Sequence, residues 1–195
     1  MRCAEISRKT NETDINLKLN LDGSGHHEIN TNCGFLDHML ELFTAHGKFD
    51  LNLKCSGDVH VDFHHTVEDV GICLGRAFNE AINDKKGIKR YGYFILPMDE
   101  ALILSAVDIS GRSHLNFDAE ITAQKVGNFD TELIKEFWLG FVRTFPCAVH
   151  IKKLAGENSH HIIEGIFKSL ARSFREAVMI DEKYYNEIPS TKGII

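Results

Sequence analysis

An internal repeat is the feature of this sequence that most restricts its fold. The segment His-His-Thr-Val-Glu at 64–68 recurs as His-His-Ile-Ile-Glu at 160–164, starting 96 residues later in a chain of 195. The register continues without a gap through the pairs Leu74 and Leu170, Arg76 and Arg172, Phe78 and Phe174, Glu80 and Glu176, and Ala81 and Ala177. A period of about half the chain predicts two duplicated halves, about 1–90 and 91–195, within one domain and not a solenoid of many short repeats.

The first half shows the periodicity of alternating strands and a helix. Apolar residues alternate with polar ones over 15–21 and predict a strand that ends at Asp22-Gly23. A weaker strand is predicted at 27–30. An apolar face over 34–46 predicts a helix, and renewed alternation over 49–55 predicts another strand.

The second half repeats this order of elements. An apolar run over 94–107, interrupted by Pro97 and by Asp99-Glu100, predicts a hairpin. A strand at about 114–121, a helix over 130–145 and a strand over 149–154 follow, and each half closes with a helix that starts at its His-His pair. The sequence therefore predicts an α+β fold with pseudo-two-fold symmetry, in which helices cover one face of mostly antiparallel sheets.

The composition argues against several classes of protein. A formal net charge of −6 disfavours broad attraction to nucleic acid or anionic lipid. No apolar run approaches the roughly 20 residues that span a bilayer, and the first residues lack the apolar core of a secretory signal. We therefore expect a cytoplasmic protein that binds neither nucleic acid nor membrane. The five cysteines lie far apart without a Cys-x-x-Cys pair, and we expect them to be reduced.

The repeated segment carries four of the 11 histidines, and histidine is the commonest metal ligand. Residues three apart lie on one face of a helix, so His65 with Glu68, and His161 with Glu164, can each chelate a cation. Neighbouring residues are about 100° apart around a helix. One cation cannot easily take both adjacent imidazoles, so the first histidine of each pair is expected to reach a second metal.

Pseudo-symmetry then predicts a crossed arrangement, in which the second histidine and the glutamate of one copy share a cation with the first histidine of the other. The two predicted sets are His65, Glu68 and His160, and His161, Glu164 and His64. The sequence leaves open whether these helices meet within one chain or between chains. His38 is a candidate fourth ligand for the first metal, and Glu136 occupies the comparable helix of the second half after a two-residue shift in register.

Five ordered motifs carry a family resemblance. They are Gly-Phe-Leu-Asp-His-Met at 34–39, Asp-x-His-x-Asp-x-His-His-Thr-Val-Glu-Asp at 58–69, Gly-Arg-Ser-His at 111–114, Gly-Glu-Asn-Ser-His-His at 156–161 and Pro-Ser-Thr-Lys-Gly at 189–193. Together they resemble the monofunctional form of imidazoleglycerol-phosphate dehydratase, an enzyme of histidine biosynthesis. The resemblance runs from about Arg8 to Gly193, which is nearly the whole chain.

The resemblance implies a hydro-lyase that converts imidazole glycerol phosphate to imidazole acetol phosphate, with two Mn2+ ions per subunit or other divalent cations in their place. It also implies trimers assembled into a large cubic homo-oligomer of about 24 subunits, with active sites between subunits. Carried over by position, one metal is held by His38, His65, Glu68 and His160, and the other by His64, His161 and Glu164. At the remaining ligand position the family often has histidine, whereas this sequence has Glu136, a competent ligand for a hard cation.

The resemblance also assigns roles in substrate binding and proton transfer. Glu12 matches a position that contacts substrate and can move the proton in the elimination, with the ligands Glu68 and Glu164 completing the catalytic set. Glu157 is an alternative base. The other positions expected to contact substrate, mainly through its phosphate, are His38, His46, Arg90, Arg112, Lys168, Ser190 and Lys192.

Two other classes of function are compatible with the residues alone. A di-metal phosphate-ester hydrolase could use the same ligands with a bridging water, and it would release inorganic phosphate. A non-catalytic metal-storage shell is the other alternative, but it has no use for Arg90, Arg112 and Lys192.

Overall fold

Two four-stranded sheets with the same connectivity form the framework of the chain. The computed structural model describes residues 2–195. Its strands are β1 (Cys3–Lys9), β2 (Thr13–Asn20), β3 (His27–Asn30), β4 (Asp50–Gly57), β5 (Tyr91–Met98), β6 (Ala101–Asp108), β7 (His114–Asp118), β8 (Lys125–Val126), β9 (Phe129–Asp130) and β10 (Ala148–Ala155). The strand orders are β1-β2-β4-β3 and β5-β6-β10-β7, with β8 and β9 as a separate short hairpin.

The pairing pattern repeats the duplication seen in the sequence. In each sheet three strands are antiparallel, and the last strand, β3 or β7, joins its neighbour in parallel. Each sheet is covered on one face by helices. The predicted α+β fold, a mostly antiparallel half-domain built twice, is confirmed.

The helices of both halves lie between the two sheets. They are α1 (Gly34–Gly47), α2 (His64–Ile82), α3 (Leu133–Thr144) and α4 (Ser159–Val178), followed by a 3-10 turn at Glu182–Tyr184. Helix α2 packs on β1 and β2 and against α3, whereas α4 packs on β5 and β6 and against α1. Each long helix is therefore paired with a helix from the opposite half. None of the helices between residues 2 and 195 combines the length and apolarity needed to cross a membrane.

Large aromatic side chains from both halves fill the space between the sheets. Phe43 lies 5.9 Å from Trp138, and Phe78 lies 5.7 Å from Phe174, measured between ring centroids. All four rings are fully buried. Because aromatic rings contribute much buried apolar area per residue, this shared cluster joins the two halves into one core.

The outward faces of the two sheets differ in polarity. Polar residues cover the outer face of the first sheet, among them Asn16, Lys18 and Asn52. The outer face of the second sheet carries large exposed apolar side chains by contrast, and Tyr93, Ile95 and Leu154 are 71%, 51% and 46% exposed. An exposed apolar face of this kind is typical of a surface that is covered by another protein.

Candidate metal centre and active site

Both His-His pairs lie in the first turn of a long helix, where a side chain just before the helix accepts hydrogen bonds from backbone N–H groups of the pair. Asp62 accepts a hydrogen bond from the backbone N–H of His64 at 2.7 Å. Asn158 accepts from the N–H groups of His160 and His161 at 2.9 and 3.3 Å. Such caps satisfy donors that have no partner within the helix. All four imidazoles therefore lie at the N-terminal ends of α2 and α4.

Three of the predicted ligands converge in the chain. Nitrogen atoms of His38 and His160 and a carboxylate oxygen of Glu164 all lie within 4.8 Å of one another. His38 comes from α1 and the other two from α4, so both halves contribute. Glu164 is buried, whereas the imidazoles are accessible. Imidazole with carboxylate is a donor set that suits Mn2+, Fe2+, Co2+ and Zn2+, so these residues fit a divalent cation.

The first copy of the motif places its residues in the same way. The Nε2 atom of His64 lies 3.8 Å from Glu68, and that of His160 lies 3.4 Å from Glu164. In the first copy, however, Arg143 of α3 also contacts Glu68, at 2.5 Å. Two potential ligands therefore face each other at the start of α2, and within residues 2–195 no third one joins them as His38 does at α4.

This grouping within one chain differs from the crossed arrangement predicted from the sequence. Each glutamate faces the first histidine of its own pair, four residues earlier, and not the second histidine, three residues earlier. The helical step explains the difference, since residues four apart are offset by about 40° and residues three apart by about 60°. The adjacent rings do diverge as expected, with interplanar angles of 83° and 79°.

The second histidine of each pair is held by carboxylates from turns. The Nδ1 atom of His65 lies 2.9 Å from Asp58, and its Nε2 atom lies 3.6 Å from Glu12. The hydrogen bond to Asp58 raises the pKa of His65. The predicted base Glu12 is thus placed beside an imidazole of the repeated motif.

His161 has the matching surroundings in the second half. Its Nδ1 atom lies 2.7 Å from Glu100, and its Nε2 atom lies 3.8 Å from Asp99. This hydrogen bond raises the pKa of His161 and lowers the pKa of Glu100 to about 2. Both second histidines are therefore held at Nδ1 by a carboxylate.

Lys168 and His46 lie on the side of the site formed by α1 and α4. Lys168 makes an ion pair with Glu164 and lies 3.6 Å from the sulfur of Met98. Burial would raise the pKa of Glu164, but the hydrogen bond and charge of Lys168 outweigh it and leave that pKa lowered. Burial, with Lys168 and Arg172 nearby, lowers the pKa of His46.

The remaining residues expected to bind phosphate lie elsewhere in the chain. Arg90 is bound through two nitrogens to Asp108, at 2.7 and 3.2 Å, and donates to the carbonyl oxygen of Pro189 at 2.8 Å. The hydroxyl of Ser190 accepts from the backbone N–H of Lys192 at 3.2 Å. The end of the chain lies against the loop of Arg112, since a Cβ on Gly111 would be 2.9 Å from Ile195.

Glu136 is not brought into a ligand cluster with any residue in the range 2–195. It lies near the start of α3 and lines a shallow depression together with Phe117 and Lys135. The chain on its own thus gives Glu136 no partner ligands.

Sequence reasoning missed four residues that contact the site, namely Asp58, Asp99, Glu100 and Arg143. Asp99 and Glu100 form the turn between β5 and β6, which corresponds to the turn between β1 and β2 that carries Glu12. Comparing the two halves turn by turn would have found this pair. No comparable signal marks Arg143, because its contact depends on how α3 packs against α2.

Comparison with known proteins identifies the family of the chain. The family model described as imidazoleglycerol-phosphate dehydratase matches residues 31–174. Relatives of that name are 54% identical in Caldicellulosiruptor bescii and 51% identical in Prochlorococcus marinus, each over 195 residues. These alignments cover 100% of this chain and 98% and 97% of the relatives.

Solved structures give the same result. Imidazoleglycerol-phosphate dehydratase from Staphylococcus aureus superposes with a TM-score of 0.84 at 41% identity, covering 92% of this chain and 99% of that one. The enzyme from Pyrococcus furiosus, solved in complex with (S)-C348, also gives 0.84 at 39% identity, covering 97% and 100%. The chain therefore belongs to the imidazoleglycerol-phosphate dehydratase family, the hydro-lyases that act in histidine biosynthesis.

Proposed function

We propose that this chain dehydrates imidazole glycerol phosphate to imidazole acetol phosphate and depends on two divalent cations, with Mn2+ as the first candidate. The observation that carries the proposal is the convergence of His38, His160 and Glu164 within 4.8 Å. Because these ligands come from both halves, we propose a single catalytic domain made of the halves at about 1–90 and 91–195. When bound, the cations would supply Lewis-acid stabilisation of the negative charge that develops on the substrate.

Glu12 is the residue that we propose as the base. Its carboxylate is about half exposed and lies on the Nε2 side of His65, opposite the side that Asp58 occupies. A carboxylate there can take the proton from the substrate carbon and return it to the hydroxyl on the neighbouring carbon, which then leaves as water. The enol that results rearranges to the ketone. Glu68 and Glu164 serve as cation ligands in this scheme.

The ligand sets point to completion of the site by a second copy of the chain. His64 and Glu68 face each other, and no third potential metal ligand within residues 2–195 joins them. The Nε2 atoms of His65 and His161 lie 3.6 and 3.8 Å from the carboxylates of Glu12 and Asp99. Glu136 is equally without partner ligands. A neighbouring subunit that presents its own motif would supply what each of these sets lacks.

The separation of the phosphate-binding residues supports the same conclusion. Lys168 contacts Met98 at one end of β5, and Arg90 precedes Tyr91 at the other end. At about 3.3 Å per residue, these ends are about 20 Å apart. A substrate of one imidazole and a three-carbon phosphate cannot reach both within one chain. We therefore expect a substrate held at the cations of one subunit to have its phosphate bound by residues of an adjacent subunit. These residues are Arg90, Arg112, Ser190 and Lys192.

The apolar outer face of the second sheet gives such an assembly a contact surface. Burying Tyr93, Ile95 and Leu154 against another copy would remove exposed apolar area from water. We propose a large homo-oligomer of about 24 subunits, which is the closed symmetric assembly that the family resemblance implies. We also propose a cytoplasmic location, which the five free cysteines support.

Metal analysis combined with a dehydration assay tests this function. The assembled protein is expected to contain about two divalent ions per chain, to lose activity with a chelator and to regain it with Mn2+. Product analysis is expected to give a ketone. Release of inorganic phosphate instead would identify a phosphate-ester hydrolase, and full activity of the metal-free protein would contradict the proposal.

A further inference from the structure

The same hydrogen bond is present at the start of both His-His helices. The Nδ1 atom of His65 lies 2.9 Å from Asp58, and the Nδ1 atom of His161 lies 2.7 Å from Glu100. We propose that Asp58 and Glu100 are positioning residues, which set the tautomer and orientation of His65 and His161 so that Nε2 presents its lone pair to a cation. This inference rests on the metal dependence proposed above.

The protonation chemistry of the two groups gives the direction of the effect. An ionised carboxylate only accepts hydrogen bonds, so the nitrogen that it contacts must carry the hydrogen. A neutral imidazole has one donor and one acceptor nitrogen. Asp58 therefore leaves the Nε2 atom of His65 as the acceptor, and Glu100 does the same for His161. A carboxylate at Nδ1 also makes an imidazole a stronger ligand through its other nitrogen.

Backbone contacts hold the carboxylate of Glu100 and the main chain of Asp58 in place. Glu100 accepts from the N–H groups of Asn158 and Glu157 at 2.8 and 3.4 Å, in the segment that leads into α4. The backbone N–H of Asp58 donates to the carbonyl oxygen of Glu12 at 3.1 Å, and its own carbonyl accepts from Val61 at 2.8 Å. The imidazoles are thus directed by groups that are themselves fixed.

The two carboxylates come from different parts of the duplicated fold. Asp58 belongs to the loop that precedes α2, whereas Glu100 belongs to the turn between β5 and β6. The duplicated halves therefore reach one contact by two routes. Because a carboxylate contacts Nδ1 in both halves although it comes from different segments, the contact indicates that the histidine needs it, and not that it follows from the fold of either segment.

Amide and alanine variants test this inference. In Asp58→Asn or Glu100→Gln the amide can donate to Nδ1, which moves the imidazole hydrogen to Nε2. The Nε2 atom then has no lone pair with which to bind the cation. We expect the dissociation constant for Mn2+ to rise about 10- to 100-fold at one of the two sites, measured from the EPR signal of free Mn2+. Asp58→Ala should weaken binding no more than Asp58→Asn does, because alanine cannot donate.

Several controls separate positioning from a purely structural role. Asp14→Asn and Glu28→Gln remove the same charge from carboxylates that contact lysine or asparagine, and they should bind Mn2+ as wild type does. Asp58→Glu should recover part of the affinity. A structural role predicts the opposite order, with Asp58→Ala worse than Asp58→Asn. Wild-type affinity in both amide variants would also overturn the inference.

A spectroscopic measurement on the assembled protein gives a second test. With Cu2+ in place of Mn2+, pulsed EPR detects the remote nitrogen of a coordinated imidazole, and its coupling reports the hydrogen bond at that nitrogen. Loss of the Asp58 contact should change this signal, and an unchanged signal would contradict the inference. Failure of the proposed function gives a different result, because wild type itself would then be active without metal.

Discussion

Arg143 of α3 lies 2.5 Å from Glu68 of α2, so the carboxylate of the first motif pairs with a cation from the opposite half. At the equivalent position of the second motif, Glu164 pairs with Lys168, one turn further along its own helix. Both carboxylates that are proposed to hold metal thus have a cationic side chain as a partner. Binding of a divalent ion has to compete with that partner.

The Arg143 contact leads to a prediction about metal affinity. Arg143→Gln removes the competing charge, so the site that contains Glu68 should bind Mn2+ about two- to fivefold more tightly, in keeping with the strength of an exposed ion pair. Titration with detection of free Mn2+ measures this effect. Lys125→Gln breaks a surface pair with Asp130 and should leave the affinity unchanged. Weaker binding in Arg143→Gln would show that the arginine supports the cation.

The two glutamates should each control one ion. Glu164→Gln and Glu68→Gln remove a charged ligand from different sites, so each variant should lower the metal content from about two ions per chain to about one. Elemental analysis after gel filtration gives the count. The double variant is expected to be metal-free and inactive. If either single variant lost both ions, the sites would not be independent.

Gly71 sets how closely α2 approaches α3. A Cβ at Gly71 would lie 2.3 Å from the carbonyl oxygen of Phe137, a backbone atom that cannot move aside easily. Gly71→Ala should therefore lower the free energy of unfolding by about 1–3 kcal/mol. Gly34→Ala is the matched control, because a Cβ there has nothing within 4 Å. Urea denaturation of both variants measures the difference, and equal stabilities would contradict this account of the packing.

Asp50 is expected to make stability depend on pH. One oxygen of Asp50 accepts from the backbone N–H groups of Ser24, Gly25 and His26 at 2.8, 3.1 and 3.0 Å. Burial alone would raise the pKa of Asp50, but these donors outweigh it and leave that pKa lowered. Since the folded pKa is depressed, the stabilisation is present above the unfolded value of 3.8 and is lost as the pH falls through the folded value.

The corresponding measurement uses Asp50→Asn. At neutral pH this variant should be less stable than wild type by about 1 kcal/mol, because a hydrogen bond to a charged group becomes one to a neutral group. The difference should shrink as the pH is lowered below about 4. Asp118→Asn, which affects an exposed pair with Lys152, should show no such trend. A difference that stays constant with pH would refute the assignment.

Most of the fold was predictable because apolar periodicity and the duplication agreed. The strand at 27–30 has the predicted bounds, and the hairpin of β5 and β6 turns at Asp99-Glu100 as expected. Strand β1 was not predicted, because this edge strand buries only Ile6 and has too few apolar residues on its inner face to give an apolar period. The two-residue strands β8 and β9 are too short to produce a period.

The site was predictable to the level of its helices but not of its contacts. Repetition of the motif singled out His160 and Glu164, and an amphipathic helix offered His38. The approach of Asp58 to His65 depends on how a loop folds back over the start of a helix, which spacing along the sequence does not encode. Likewise, the preference of each glutamate for the histidine four residues earlier reflects side-chain direction and not helical position alone.

The aromatic cluster between the sheets also constrains how the two halves can change over time. Phe43 and Phe78 from one copy interlock with Trp138 and Phe174 from the other, so neither copy has a complete interior of its own. A larger or smaller ring on one side alters the space left for its counterpart. A substitution in one half therefore constrains which substitutions the other half can accept. An ancestor with a single copy would have needed to pair with a second molecule of itself to exclude water from its aromatic side chains.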